Sequence, residues 1–186
     1  MPIALWWIGG EAADETTIEE VRCQLEREFA EPVVRVESDQ RPTGTLDVKR
    51  GQHSSRGLLR WLVAAKPGQC DRILGVTDVD LFIPVLTFVF GEAQLDGPAA
   101  VVSTARLSEG ASRKAAGLRL VKECVHEIGH TYGLVHCALA TCVMTRSASV
   151  RAVDAKRAQL CPECRVRYQM VQKGLHVYRE YKNPHR

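Results

Sequence analysis

Apolar positions along this chain recur at two different periods, and the changes of period mark its elements. Ile3 to Ile8 (IALWWI) is a continuous apolar run closed by Gly9-Gly10, the pattern of a buried strand. Ile18, Val21, Leu25 and Phe29 then follow helical spacing, which predicts a surface helix over Thr17 to Phe29, capped by Thr16 or Thr17 and stopped at Glu31-Pro32. Val33, Val34 and Val36 predict a second short strand. Residues 38–53 are polar, carry Pro42, Gly44 and Gly51, and read as a loop with a brief strand at Thr45 to Val48. Leu58, Leu59, Leu62 and Val63 define a second helix, Ser55 to Lys66, closed by Pro67-Gly68, and Arg72 to Thr77 reads as a third strand.

Phe82 to Gly91 and Ala99 to Leu107 read as two further extended segments on either side of an Asp96-Gly97 turn. Ser112 to Leu134 is one long helical stretch. Beyond Met144, Val150 to Leu160 has modest helical character, and Val166 to Tyr181 predicts a C-terminal helix. Strands alternating with helices, followed by a helical tail, give a mixed α/β (α+β) fold. With 186 residues, 45% of them hydrophobic, the chain suffices for one domain of two lobes with a real core.

Charge changes this picture little. The net charge of +3 selects neither nucleic acid nor an acidic partner. The basic residues Arg165, Arg167, Lys173, Arg179, Lys182 and Arg186 read as solvated helix faces. Met1 to Ile8 is too short for a signal-peptide core and has no basic residue before it. The longest apolar run, Leu81 to Phe90, contains Pro84 and is too short to span a bilayer. The expectation is a cytoplasmic protein with no nucleic-acid or membrane partner. Seven cysteines in such a chain point toward metal or buried thiols rather than disulfides.

The candidate chemistry is concentrated in HEIGHTYGLVHCALATCVM, residues 126–144. His126 and His130 are four residues apart, which on a helix puts them on one face, about 6 Å apart along the axis, where both imidazoles reach one zinc ion. Glu127 stands off that pair but close enough to address a water on the ion, the mechanical content of H-E-x-x-H. His136 follows six residues after His130. On a continued helix it would lie about 240° around and about 9 Å further along. The chain must therefore leave the helix first, and Gly133, which accepts a positive φ cheaply, stands where this has to happen. Three histidines leave one coordination position open, the catalytic pattern. Water there is acidified, and Glu127 takes its proton and passes it to the leaving amine, which is hydrolysis of an amide bond. The bland alternative, histidines on a polar loop and a helix end, needs a coincidence at each spacing.

Cys137 and Cys142 form C-x4-C, and Cys161 and Cys164 form C-x2-C around Pro162. Four thiolates can close a tetrahedral shell completely, the structural rather than catalytic pattern. Two disulfides, or scattered core cysteines, are the alternatives. Neighbouring side chains in extended chain point different ways, so His136 and Cys137 can serve separate ions. The predicted complement is two zinc ions per chain, one catalytic and one structural. Cys23, Cys70 and Cys124 lack partners at ligand spacing and read as buried thiols. His53, His176 and His185 read as surface groups.

HEIGHTYGLVHC, then Cys142-Val143-Met144, then Cys161-Pro162-Glu163-Cys164, resembles the archaemetzincins, a branch of the metzincin zinc metallopeptidases. Residues 126 to 164 carry the resemblance. One departure is the spacing of sixteen residues between Met144 and Cys161, about one fewer than the family pattern. The resemblance implies a catalytic zinc on His126, His130 and His136, Glu127 as general base, a structural zinc on Cys137, Cys142, Cys161 and Cys164, and Met144 in a Met-turn beneath the histidines. It implies a metzincin-like fold: a twisted mixed sheet with the active-site helix in an N-terminal lobe (1–133), and a smaller lobe (134–186) with the Met-turn and a zinc knuckle, within one metallopeptidase domain (1–186). It also implies an edge strand that pairs with an extended peptide, for which Phe88 to Gln94 is the candidate. Some metzincins place a tyrosine ligand two residues after the Met-turn methionine. Here that position is Arg146, which excludes one. The expected activity is zinc-dependent peptide hydrolysis by a monomer, with aminopeptidase action favoured by analogy. The rival is a non-catalytic zinc protein or peptide-binding module that holds only the cysteine-bound ion.

Overall fold

A computed structural model describes residues 2–10 and 14–175. The first apolar run becomes β1 (Ile3–Trp7), flanked in parallel by β2 (Val33–Arg35) and β5 (Arg72–Thr77). Beyond β5 lies the parallel β8 (Ala99–Ser103), and the antiparallel β7 (Gly91–Ala93) forms the edge, in the order β2-β1-β5-β8-β7. A small second sheet holds β3 (Leu46–Asp47), β4 (Gln52–Ser54) and β6 (Leu81–Phe82). The sheets are mixed, as the fold class expected.

Alternation along the central strands distributes their side chains between two cores. Ile3, Leu5, Leu74, Val76, Ala100 and Val102 face one side, where they pack with α1 (Glu15–Phe29) and α3 (Arg113–Thr131). Ala4, Trp6, Ile8, Ile73, Ala99 and Val101 face the other, against Leu58, Leu59 and Leu62 of α2 (Ser55–Ala65). Strands covered on both faces need apolar residues at every position, which is why these segments read as continuous runs. Gly75 brings α2 close: a Cβ there would stand 2.8 Å from Leu62 Cδ1.

Three expectations are corrected. Phe82 to Gly91 is not one strand. Pro84, which has no N–H to donate, sits in a turn that interrupts it, and regular pairing resumes at Gly91 after an isolated bridge between Leu81 and Val89. The loop assigned to residues 38–53 contains β4 near its end, whose polar sequence Gln-His-Ser gives no strand signal. The last described helix, α5 (Pro162–Gln172), begins four residues before Val166, with Pro162 in the first turn and the Cys161 sulfur accepting from the Cys164 N–H. Its C-terminal end is at Gln172, with Gly174 at φ 70° just beyond. The remainder of the expected helix to Tyr181, with His176, His185 and the basic residues beyond 175, lies outside the described residues.

The segment after α3 wraps back onto the first lobe through α4 (Val150–Ala155) and α5. Tyr168 of α5 lies 5.3 Å from Phe29 and 5.0 Å from Tyr132, between ring centroids. Glu28 is buried beneath this seam, where it accepts from the Leu160 N–H at 2.8 Å and pairs with Arg165.

Candidate metal centre

The long helix α3 carries His126 and His130 on its last turns. It ends in two backbone hydrogen bonds, Gly133 N–H to His130 O at 2.8 Å and Leu134 N–H to Gly129 O at 3.1 Å, with Gly133 at φ 79°. This 5→2 and 6→1 pair is a Schellman ending, which reverses the chain within one residue. The reversal brings His136 back to the helix face. Its ring centroid lies 5.4 Å from that of His126 and 4.9 Å from that of His130. One nitrogen from each of the three histidines falls within 4.8 Å of the others.

Hydrogen bonding decides which nitrogens face inward as bases. His126 Nδ1 lies 2.8 Å from Val143 O, and His130 Nδ1 lies 2.7 Å from Leu134 O. A carbonyl can only accept, so each Nδ1 carries the proton and each Nε2 is left with a bare lone pair. Those two Nε2 atoms stand 3.1 Å apart. Facing lone pairs repel, and protonation offers no relief: burial drives the His126 pKa well below the ordinary histidine range, with Lys156 adding to the shift, and burial takes His130 down to about 4. A cation between the nitrogens resolves the conflict. Zn–N bonds of tetrahedral geometry place their nitrogens about 3.3 Å apart, so the residues present fit zinc.

The four cysteines converge as well. Cys137, Cys142, Cys161 and Cys164 each offer a sulfur within 4.8 Å of the others, and none of the chain's seven cysteines is in a disulfide. Cys137 Sγ and Cys161 Sγ are 3.8 Å apart, which fits the spacing of about 3.8 Å that two sulfurs have on one tetrahedral zinc. Burial pushes Cys161 up, but hydrogen bonds from the Cys164 N–H and neighbouring thiols outweigh it and the net shift is down; Cys164 is pushed up, by burial first.

The two clusters share backbone. Cys142, Val143 and Met144 are consecutive: the first belongs to the sulfur cluster and the second bonds His126. Met144 O accepts from the Cys137 N–H at 3.0 Å, and its side chain is fully buried beneath α3. A Cβ on Gly129 would stand 2.5 Å from Met144 Sδ.

A sequence profile of Peptidase family M54 matches residues 15–170 of this chain. The chain belongs to peptidase family M54. An archaemetzincin of Methanopyrus kandleri is 47% identical over 115 residues, which cover 62% of this chain and 65% of that protein. The crystal structure of the M. kandleri archaemetzincin superposes with a TM-score of 0.83 at 34% identity, covering 93% of this chain and 96% of the other. The archaemetzincin structure from Archaeoglobus fulgidus gives a TM-score of 0.76 at 35% identity, covering 88% and 98%. The M54 chain is therefore a zinc-dependent metallopeptidase with the archaemetzincin fold. Among its described residues no helix is long and apolar enough to cross a membrane.

In this M54 peptidase Glu127 is buried and lines a cavity of about 400 Å³ with His126 and His136. Burial holds its carboxyl well above the ordinary range, Glu123 adds to the shift, and Lys156 opposes it. The Leu86–Gly91 segment leading into β7 also lines the cavity. Gly91 approaches so closely that a Cβ would stand 2.8 Å from Glu127 Cγ and 2.7 Å from Val101 O. A smaller cavity of about 280 Å³, at the far end of α3 near Trp7, Asp78 and Arg113, is lined by none of the histidines or cysteines of the two clusters.

Sequence reasoning missed two residues of this M54 site. Glu123, one turn before Glu127, lines the cavity, and Lys156 lies 2.7 Å from its carboxylate. The i, i+4 relation of Glu123 to Glu127 was available as a signal, whereas nothing marks Lys156 among the chain's basic residues. Of the unassigned cysteines, Cys70 and Cys124 are buried as expected. Cys23 is only half-buried, since it sits toward the exposed side of α1 beside Glu19 and Arg22. His53 is half-buried in the second sheet, its Nδ1 2.8 Å from Thr45 Oγ1, outside both clusters.

Proposed function

We propose that His126, His130 and His136 hold the catalytic zinc and that Glu127 is the general base for hydrolysis of a peptide bond. The single observation that carries this reading is the pair of imidazole lone pairs facing at 3.1 Å, with both Nδ1 protons committed to backbone carbonyls. Zinc bound there supplies Lewis-acid polarisation of a carbonyl and acidification of water. Glu127 receives the proton of the attacking water on its carboxylate and delivers it to the nitrogen of the leaving amine. Its burial in the cavity wall keeps bulk water from competing for that proton. The two Nδ1–H···O=C bonds fix the rings, so that the ligand geometry costs no rearrangement.

An extended peptide lies along β7, the edge strand, whose free backbone groups offer it a ladder. Gly91 supports this placement, because its missing side chain lets Glu127 pack directly against the backbone of β7. Cys137, Cys142, Cys161 and Cys164 hold a second, structural zinc, giving two ions per chain. The single-domain reading, with lobes 1–133 and 134–186, is supported by one apolar cluster that runs from Ile3 to Tyr168. Removal of N-terminal residues by a monomer is the finer reading taken from the family resemblance, and mass spectrometry of cleaved N-acetylated and free peptides separates it from internal cleavage.

The test is Glu127→Gln in the zinc-loaded protein. The expected result is two zinc ions per chain in both proteins and a fall in kcat of about 10²–10⁴ in the variant. Equal turnover of a peptide library by both proteins overturns the assignment of Glu127. One ion per chain with no turnover in either favours the rival reading, a non-catalytic zinc protein.

A further inference from the structure

We propose that Arg146 is a specificity-determining residue that receives a carboxylate of the peptide substrate. This rests on the peptidase reading above and names the class of peptide its cleft prefers. Arg146 lines the same cavity as His126, Glu127 and His136, next to Ser147 and Ala148.

Two carboxylates also line that cavity, and neither is paired with Arg146. Glu123 is matched by Lys156 at 2.7 Å, inside the protein. Glu127 stands beside the histidines, where the reaction requires it. Among the described residues Arg146 has no ion pair, hydrogen bond or aromatic contact, while its side chain is exposed into the cleft mouth. The cavity therefore has an unmatched positive charge on one wall. The apolar residues that also line it, Leu86, Phe88, Val89 and Phe90, strengthen the field of that charge within the cavity.

The backbone that presents the guanidinium is anchored. Thr145, the residue before it, donates its N–H to Cys142 O at 3.0 Å and its hydroxyl to Leu139 O, and its carbonyl accepts from Lys156 at 3.4 Å. A planar five-donor fork on an anchored backbone matches a carboxylate through two parallel hydrogen bonds. That carboxylate has two sources in a peptide, an aspartate or glutamate side chain near the scissile bond and the free C-terminus.

Paired peptides separate the sources. One series exchanges Glu for Gln and Asp for Asn at each position flanking the scissile bond, with amidated C-termini. A second compares free and amidated C-termini without acidic side chains. In the zinc-loaded protein, kcat/KM is expected to be about tenfold or more higher for the carboxylate member of one series, and Arg146→Met to bring that ratio to about one, with Arg146→Lys intermediate. Binding is read independently by calorimetry on zinc-loaded Glu127→Gln, with the same peptides and with Arg146→Met added. The ratio of Kd values between twins is expected to collapse in the same way. A wild-type ratio near one in both series, or a ratio that Arg146→Met leaves intact, overturns the proposal. Twins that separate in binding while no peptide is cleaved sustain the role of Arg146 and overturn the hydrolytic reading instead.

Discussion

Lys156 Nζ stands 2.7 Å from Glu123 Oε1, with the lysine side chain 0% and the glutamate side chain 4% exposed. Glu123 Oε1 has no partner at hydrogen-bonding angles, so the contact is an ion pair held by charge rather than by alignment. Such pairs are costly to break and inexpensive to replace. Lys156→Met alone leaves a buried carboxylate unpaired beside the metal site and is expected to cost about 3–5 kcal/mol in urea unfolding of the zinc-loaded protein. Glu123→Gln with Lys156→Met is expected to recover most of that loss. Equal losses in the single and double variants would show that the pair does not act as a unit.

Gly91 and Glu127 pack directly against each other in the lining of the cavity. A Cβ at position 91 cannot be accommodated without moving Glu127 or the backbone of β8, since Val101 O is only 2.7 Å away. Gly91→Ala is expected to lower kcat/KM about 10²-fold, the size of effect that a displacement of about 1 Å produces in a reacting group. Zinc content, measured by metal analysis, is expected to remain that of the parent. A variant with parental kinetics would place the peptide elsewhere than along β7.

Gly129 seats Met144. An added Cβ would overlap Met144 Sδ at 2.5 Å, and the clash meets a side chain with no exit, since Met144 is fully buried. Gly129→Ala is expected to destabilise the protein by about 1–3 kcal/mol, the cost of overpacking a filled core. Met144→Ala on that background makes room and is expected to return part of the loss. Additive losses in thermal or chemical unfolding would contradict a direct contact.

The sulfur cluster is expected to govern the histidine cluster. Cys142 is two residues from Met144 and adjacent to Val143, whose carbonyl orients His126. Cys161→Ser is expected to release the cysteine-bound zinc and to weaken zinc at the histidines about 10–100-fold, as loss of an orienting partner does. Competition with a chelator followed by metal analysis reads both sites. Unchanged affinity at the histidines refutes the coupling.

The parts of this structure that sequence conveyed are those dictated by local geometry. Helical spacing located α1 and α2 to within a few residues. Gly133 had to leave the helix because His136 could not otherwise face His130, and its φ of 79° is that departure. The parts it did not convey depend on distant partners. β4 is a strand because it pairs with β3 and β6, whereas its own residues are polar. The apolar run from Phe82 is split because one proline lacks a donor. Lys156 is buried because a carboxylate thirty-three positions earlier awaits it, and a surface lysine and a buried one look alike in sequence. Arg146 was visible as the residue at the position where some metzincins place a tyrosine, but its unpaired state is a property of the assembled cavity.

The cysteine pairs impose an order in time. A growing chain emerges from its N-terminus, so α3 with His126 and His130 is complete well before Cys161 and Cys164 exist. Until then Cys137 and Cys142 have only half of their sulfur cluster, and the Val143 N–H lacks the Gln159 carbonyl to which it donates at 3.1 Å. The loop that orients His126 is thus completed only when the C-terminal segment packs onto it.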